Sequence, residues 1–158
     1  MGNDFGQFRE WNEKRSLDWH LLTWESHRKL HDMVKVLGNI YKQEAAFWEV
    51  DHHSDGFEWI WCDDADNSIV SFVRKSAKGE QILCVFNFTP VPRHGYRIGA
   101  PSPGVWKEIF NTDAESFGGS NVGNSGEVRA DDIHWQNRQW SISMNLPPLG
   151  ALFFKRLG

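Results

Sequence analysis

The sequence is short of several things, and each shortage excludes a class of protein. Two cysteines in 158 residues cannot build the framework of a small disulfide-stapled domain. Cys62 and Cys84 both lie in apolar runs, WIWCDD and ILCVFNF, and read as buried thiols. Lys and Arg number 17 against 21 Asp and Glu, for a formal net charge of −4, and they are scattered. No basic stripe is left to follow a phosphate backbone, so no nucleic-acid partner is expected. No apolar run approaches the length of a bilayer span, so no membrane partner is expected either. The opening MGNDFGQFREWNEKR lacks the basic-then-apolar order of a secretory leader, which makes a cytoplasmic location the expectation.

Aromatic residues are present in excess. Nine Trp and eleven Phe supply large buried area to a modest chain, and Trp also serves as a flat, partly wet platform on binding surfaces. Composition alone does not choose between those uses. With 40% hydrophobic and 24% charged residues, the chain belongs to the ordinary globular class and can bury a real core.

From Thr23 to Glu44 the apolar residues Leu30, Met33, Val34, Leu37, Ile40 and Tyr41 recur at spacings of three and four, which predicts an amphipathic helix. Its polar face carries Glu25, Arg28, Lys35 and Lys42, and Gly38 is its weak point. After residue 45 short apolar runs alternate with turn-formers, the pattern of an all-β sandwich. Strands are predicted at 56–62, 68–74, 81–88, 94–98, 105–111, 139–145 and 151–155. Trp140, Ile142, Met144 and Leu146 alternate with Ser141, Ser143 and Asn145, placing one face on a core and the other in water. The run Ile82 to Phe86 is apolar on both faces and predicts a covered central strand. The segment FGGSNVGNSGEV from Phe117 reads as a long surface loop. Arg93 and His94, after Pro90 and Pro92, read as fixing a β-turn.

Two segments carry a family resemblance. MGNDFGQFREWNEKRSLDWHLL at the start, and NFTPVPRHGYRIG from Asn87 to Gly99, resemble the C-terminal part of bacterial glycogen branching enzymes of the α-amylase superfamily. NIYKQEAAFWEVD, GFEWIWCDDADNSIVSFVR, WKEIFNTDAESFGGSNVGN and LPPLGALFF extend the likeness over nearly the entire chain. The runner-up is another member of the superfamily with an appended β domain, such as a trehalose-releasing or debranching hydrolase.

The resemblance implies a parent 1,4-α-glucan branching enzyme, a (β/α)8 barrel followed by an antiparallel β-sandwich of the α-amylase C-terminal type. Residues 1–44 would be the remnant of the barrel, its last loop and final helix, and 45–158 the all-β domain. Met1 to Asp4 would be the end of the eighth barrel strand and the start of its loop, with Met1 an internal methionine of the parent. The parent's reaction transfers α-1,4-glucan segments to 6-hydroxyls as α-1,6 branches, using carboxylates on earlier strands. Those motifs do not occur here, so no catalytic residue and no activity is expected of this chain alone. Its implied partners are α-glucan, through the parent, and the missing catalytic barrel. Position 4 departs from the family, whose usual Glu is here Asp4, a carboxylate withdrawn by about one methylene.

Asn3, Asp4, Arg9, Trp11 and Trp19 are the candidate substrate-binding residues, since loops at that end of a barrel build the active site and an indole stacks on a sugar ring. Trp24 shares the loop. Glu10, Glu13 and Asp18 add acids to it, but a glycosidic pair must flank the bond from opposed elements. Trp59 and Trp61, two apart on one predicted strand, would share a face, as would Phe57 and Trp59; the core is their expected destination, and an exposed pair would instead make a glucan-binding platform. The histidines offer no metal set: His52 and His53 point to opposite faces, and His27 with His31 lacks the Glu of a zinc-protease motif. No metal and no cofactor is expected.

Overall fold

The computed structural model describes residues 1–158. One long helix, α1 (Glu25–Gln43), precedes eight strands: β1 (Phe57–Asp64), β2 (Ile69–Lys75), β3 (Gln81–Asn87), β4 (Arg93–Ala100), β5 (Gly104–Asn111), β6 (Glu127–Ala130), β7 (Trp140–Leu146) and β8 (Gly150–Arg156). Every pairing is antiparallel. Six strands form one sheet in the order β1-β2-β3-β8-β5-β6, and β4 and β7 form a two-stranded ribbon. The expected mainly-β sandwich is therefore present, as a large sheet faced by a narrow ribbon.

Strand period explains the two cores. On β3, Leu83 and Val85 point inward to meet Ile98 of β4, Ile142 and Met144 of β7, and Trp106, Leu152 and Phe154. Ile82 and Cys84 alternate to the opposite face, where Phe110, Ala151 and Phe153 form a second core under Met33, Leu37 and Ile40 of α1. Both faces of β3 are covered, as its unbroken apolar run predicts. Each fully buried Ile, Leu or Phe in these cores contributes roughly 1.5–3 kcal/mol.

Helix α1 thus lies on the outer face of the large sheet and runs unbroken through Gly38. None of its residues is buried. Its C-terminal end is fixed by Glu44, whose carboxylate accepts from Lys155 Nζ of β8 at 2.6 Å. Burial of Cys84 pushes its thiol up in pKa.

Several sequence expectations are corrected. The pairing of Trp59 with Phe72 and of Trp61 with Ser71 leaves Ile60 as an extra residue. This β-bulge sends Trp59 to the outer face and Trp61 to the inner side. The two indoles therefore do not share a face, and Trp59, 50% exposed, is not core. Cys62 follows the bulge and is exposed, while Cys84 is buried. The Gly-rich segment ends in β6, which extends the large sheet by pairing with β5. Ser141 is fully buried rather than wet, because its hydroxyl donates to the Ile133 carbonyl at 2.7 Å beneath the loop that crosses it. Arg93 starts β4 opposite Leu146 instead of fixing a turn, and the irregularity falls between Arg93 and Tyr96. The chain opens on a 3-10 turn, Asn3–Phe5.

Candidate functional site

The N-terminal loop is anchored by one buried ring. Phe5 is fully buried and packs on Trp19 with ring centroids 5.1 Å apart. His27 Nδ1 and the Phe5 carbonyl oxygen are 2.7 Å apart, and His31 Nδ1 lies 3.3 Å from the Asp4 carboxylate. His27 thus ties this loop to α1, while His31 Nδ1 faces the Asp4 carboxylate without a hydrogen bond to it. Gln7 braces the loop from within: its Oε1 accepts from the Asp18 backbone N–H at 2.8 Å, and its amide donates to the Arg9 carbonyl at 3.0 Å.

Of the expected binding residues, the fold brings Asp4 and Trp19 together around Phe5. Arg9 sits apart, 3.8 Å from the Asp18 carboxylate. Asn3 is exposed on the opening turn, and Trp11, 51% exposed, stands clear of other aromatic rings. Glu10 and Asp18 share a hollow of about 90 Å³, which is too small for a sugar ring between two opposed carboxylates. No three His, Cys, Asp or Glu residues converge on a point that could hold a metal ion.

A second surface is more developed. At the open edge of the sandwich, β1, the turn after it, β4 and the loop before β7 line a shallow, open groove of about 790 Å³. Trp61, Tyr96 and Trp135 line it together with Asp64, Asn67, His94 and Gln136. Asn67 Nδ2 donates to both Asp64 oxygens at 2.9 and 3.0 Å, and the Tyr96 hydroxyl donates to the same carboxylate. Burial pushes the Asp64 carboxyl up, but the hydrogen bonds from Tyr96 and Asn67 outweigh it and hold the pKa below the usual range. Opposite, Trp135 and Arg138 exchange two backbone bonds at 3.0 Å around Gln136 and Asn137, both at positive φ. This two-residue hairpin turn is pinned where Gly99 N–H donates to Gln136 Oε1 at 2.9 Å and where Arg138 pairs with Glu58.

Sequence reasoning missed this groove. Register shifts in β1 and β4 build it, and only the polar pair between Trp135 and Arg138 in HWQNRQW signals its hairpin.

A third surface is apolar. Val34, Leu37, Gly38 and Tyr41 of α1, with Phe47 and Phe153, line an open hollow of about 480 Å³. No helix is long and apolar enough to cross a membrane.

Known proteins resemble the chain in both sequence and fold. It is 48% identical over 159 aligned residues to the 1,4-α-glucan branching enzyme GlgB of Aquifex aeolicus, covering 100% of this chain and 25% of that enzyme. It is 47% identical over 155 residues to the same enzyme of Pseudomonas putida, covering 98% of this chain and 21% of the relative. The chain thus spans about a quarter of the length of the curated relatives it matches, in their C-terminal region. Among solved structures, the catalytic module of the multi-modular glycogen-degrading pneumococcal virulence factor SpuA shares the fold. Its TM-score is 0.58 at 12% identity, over 90% of this chain and 20% of that one. The model of the α-amylase C-terminal all-β domain matches residues 59–156, a span from the bulge of β1 to the last residue of β8, and on that match the chain belongs to this family.

Proposed function

We propose that this chain works as the C-terminal part of a 1,4-α-glucan branching enzyme. Residues 1–44 belong with the end of the catalytic barrel, and 45–158 form a β domain that supports it. The observation that carries this reading is a match running the full length of the chain against a quarter of the Aquifex enzyme. The half-covered helix agrees with it, since an amphipathic stripe with no buried residue has room for a further layer. In this reading the carboxylates that cut and transfer glucan lie outside the chain. Asp4 and Asp18 face His31 at 3.3 Å and Arg9 at 3.8 Å and serve the loop rather than the reaction. Asn3, Trp11 and Trp19 remain on the exposed side of the loop, where they are available to glucan in the assembled enzyme.

A stand-alone glucan-binding module is the second reading, favoured by the core that already seats α1 on the sheet. One experiment separates the two. The matched C-terminal quarter of the Aquifex enzyme is replaced by this chain, and branching of amylose is followed by the loss of iodine staining. A chimera as active as its parent, with no activity from the chain alone, is the expected result. A folded but inactive chimera, or branching by the isolated chain, overturns the proposal.

A further inference from the structure

We infer that Gln7 is a positioning residue: its side chain closes the neck of the loop 8–17, and so fixes where Arg9 and Trp11 meet glucan in the assembled enzyme. The inference rests on the branching-enzyme reading for the substrate, and on the bonding of the loop itself for the role of Gln7.

Little else holds this loop. Residues 8–16 are all exposed and Leu17 is half-buried. Inside the loop the hydrogen bonds are local: the Asn12 side chain accepts from the Lys14 N–H at 2.9 Å, and the Asn12 carbonyl from the Arg15 N–H at 3.1 Å. Residues 10–16 make no hydrogen bond beyond the loop. Phe8 sets its ring edge-on to His27 of α1, with centroids 5.2 Å apart, which anchors the first residue alone.

The two arms meet at one side chain. Gln7 Oε1 accepts from the Asp18 N–H at 2.8 Å on the returning arm, and Gln7 Nε2 donates to the Arg9 carbonyl at 3.0 Å on the outgoing arm. Only a carboxamide serves both, since one arm presents a donor and the other an acceptor. A surface loop whose ends are joined in this way is a compact unit. The other link across the neck is looser: Arg9 Nε lies 3.8 Å from the Asp18 carboxylate with its side chain 69% exposed. Water screens such a pair, and it holds little by itself.

The seat of Gln7 is built for it. Gly2 is buried at φ +83°, and a Cβ there would fall 2.9 Å from Gln7 Cβ and 3.1 Å from Gln7 Oε1. The Gln7 N–H donates to the Gly2 carbonyl at 2.9 Å. A larger residue at position 2 would displace the amide from both arms.

The consequence lies on the outer side of the loop. Trp11 is 51% exposed and touches no other ring, and Arg9 has only the loose contact to Asp18. Both therefore take their place from the neck. A loop already in its bound shape has less ordering left to do when the substrate arrives, and affinity gains accordingly.

The test uses Gln7→Met, which keeps an unbranched side chain over Gly2 and removes both bonds. Gln7→Ala removes them with less bulk and guards against a misfit of Met. In the ¹⁵N-labelled chain the heteronuclear NOE should fall at residues 9–17 and stay level in α1 and the sheet, with the melting temperature within about two degrees. In the Aquifex chimera the same variants should raise KM for amylose roughly five- to tenfold, the worth of about one net hydrogen bond, with kcat within about twofold. An unchanged NOE at 9–17, or a fall that extends through α1 and the sheet, overturns the closure of the loop by Gln7. A level KM, or a loss carried by kcat, overturns its role toward glucan. An unsubstituted chimera without activity overturns the branching reading and the glucan assignment with it, while the NOE still decides whether Gln7 closes the loop.

Discussion

The amide of Asn87 donates to the carbonyl of Pro147 at 2.8 Å, across 60 residues of sequence. The same nitrogen donates to the Val91 carbonyl at 2.8 Å, while the Asn87 oxygen accepts from the backbone and hydroxyl of Thr89 at 3.0 and 2.8 Å. Asn87 is 2% exposed. One buried side chain thus locks the crossover from β3 to β4 onto the β7–β8 turn. Asn87→Ala leaves two carbonyls without their donor and should cost about 2–3 kcal/mol. The measurement is a fall in the urea midpoint with the slope unchanged; an unmoved midpoint contradicts the role.

Acid should weaken the fold through the edge of the sandwich. Burial raises the Glu58 carboxyl, but hydrogen bonds from Lys75 and Arg138 outweigh it, and the pKa lies below its ordinary value. Asp64 is lowered in the same way. A group whose folded pKa is depressed stabilises fully above its unfolded pKa and loses that contribution as pH falls through the folded one. Stability should therefore be level near neutrality and decline below about pH 4. Glu58→Gln should flatten that decline and release the loop that carries Trp135, read as faster amide exchange in 131–138. A pH slope equal to that of the wild type would contradict the assignment.

Two glycines respond in opposite ways to a methyl group. Gly38 lies within α1, and a Cβ there meets nothing within 4 Å. Gly38→Ala should raise stability by about 0.5–1 kcal/mol. At Gly119 a Cβ falls 2.2 Å from the Asp113 carbonyl oxygen. There the chain curls round the Asp113 carboxylate, which accepts from Ser120 and Val122 backbone N–H groups at 2.9 Å each. Gly119→Ala should cost about 1–3 kcal/mol. Thermal melts of the pair check both signs.

These examples show which parts of the structure can be read locally. The covered strand β3, the alternation of β7 and the stripe of α1 are set by residues a few positions apart, and periodicity exposes them. The bulge between Trp59 and Trp61 arises from pairing with β2, so a period-2 count puts both indoles on one face. Strand β6 has four residues, Glu127–Ala130, two of them charged, and exists because β5 offers an edge. The buried state of Ser141 depends on the crossing loop. At the candidate sites, the acids and indoles of the N-terminal loop were visible as residue types, but their partners were not. Asp4 meets His31, and Trp19 meets Phe5, only after α1 folds back. The groove of Trp61, Tyr96 and Trp135 draws on three elements, none of which carries a local signal for the others.

Lys155 fixes the far end of α1. Its hydrogen bond to Glu44 raises its pKa against the opposing effect of burial. A raised folded pKa means that the contribution is complete below the unfolded value and is lost as pH rises through the folded one, so the link holds throughout the neutral range. Glu44→Gln should cost about 1 kcal/mol and speed amide exchange in the last turns of α1 before β3 or β8. Uniform exchange across the chain would show that the pair does not anchor the helix.

The apolar hollow on α1 offers a test whose sign depends on what lies over it. Tyr41 is 48% exposed, beside Val34, Leu37 and Phe153 in one open depression. In the isolated chain this surface is wet, and apolar patches of this kind promote association. Tyr41→Lys combined with Val34→Gln should weaken self-association in sedimentation velocity while leaving the melting temperature within a degree or two, about what a surface change costs; Lys in the last helical turn also suits the helix dipole. In the Aquifex chimera the same pair should lower the melting temperature clearly, because there the proposed barrel would bury a charge and an amide without partners. Neutrality in both settings would mean that nothing covers the hollow, and the assignment of residues 1–44 to the barrel would fail.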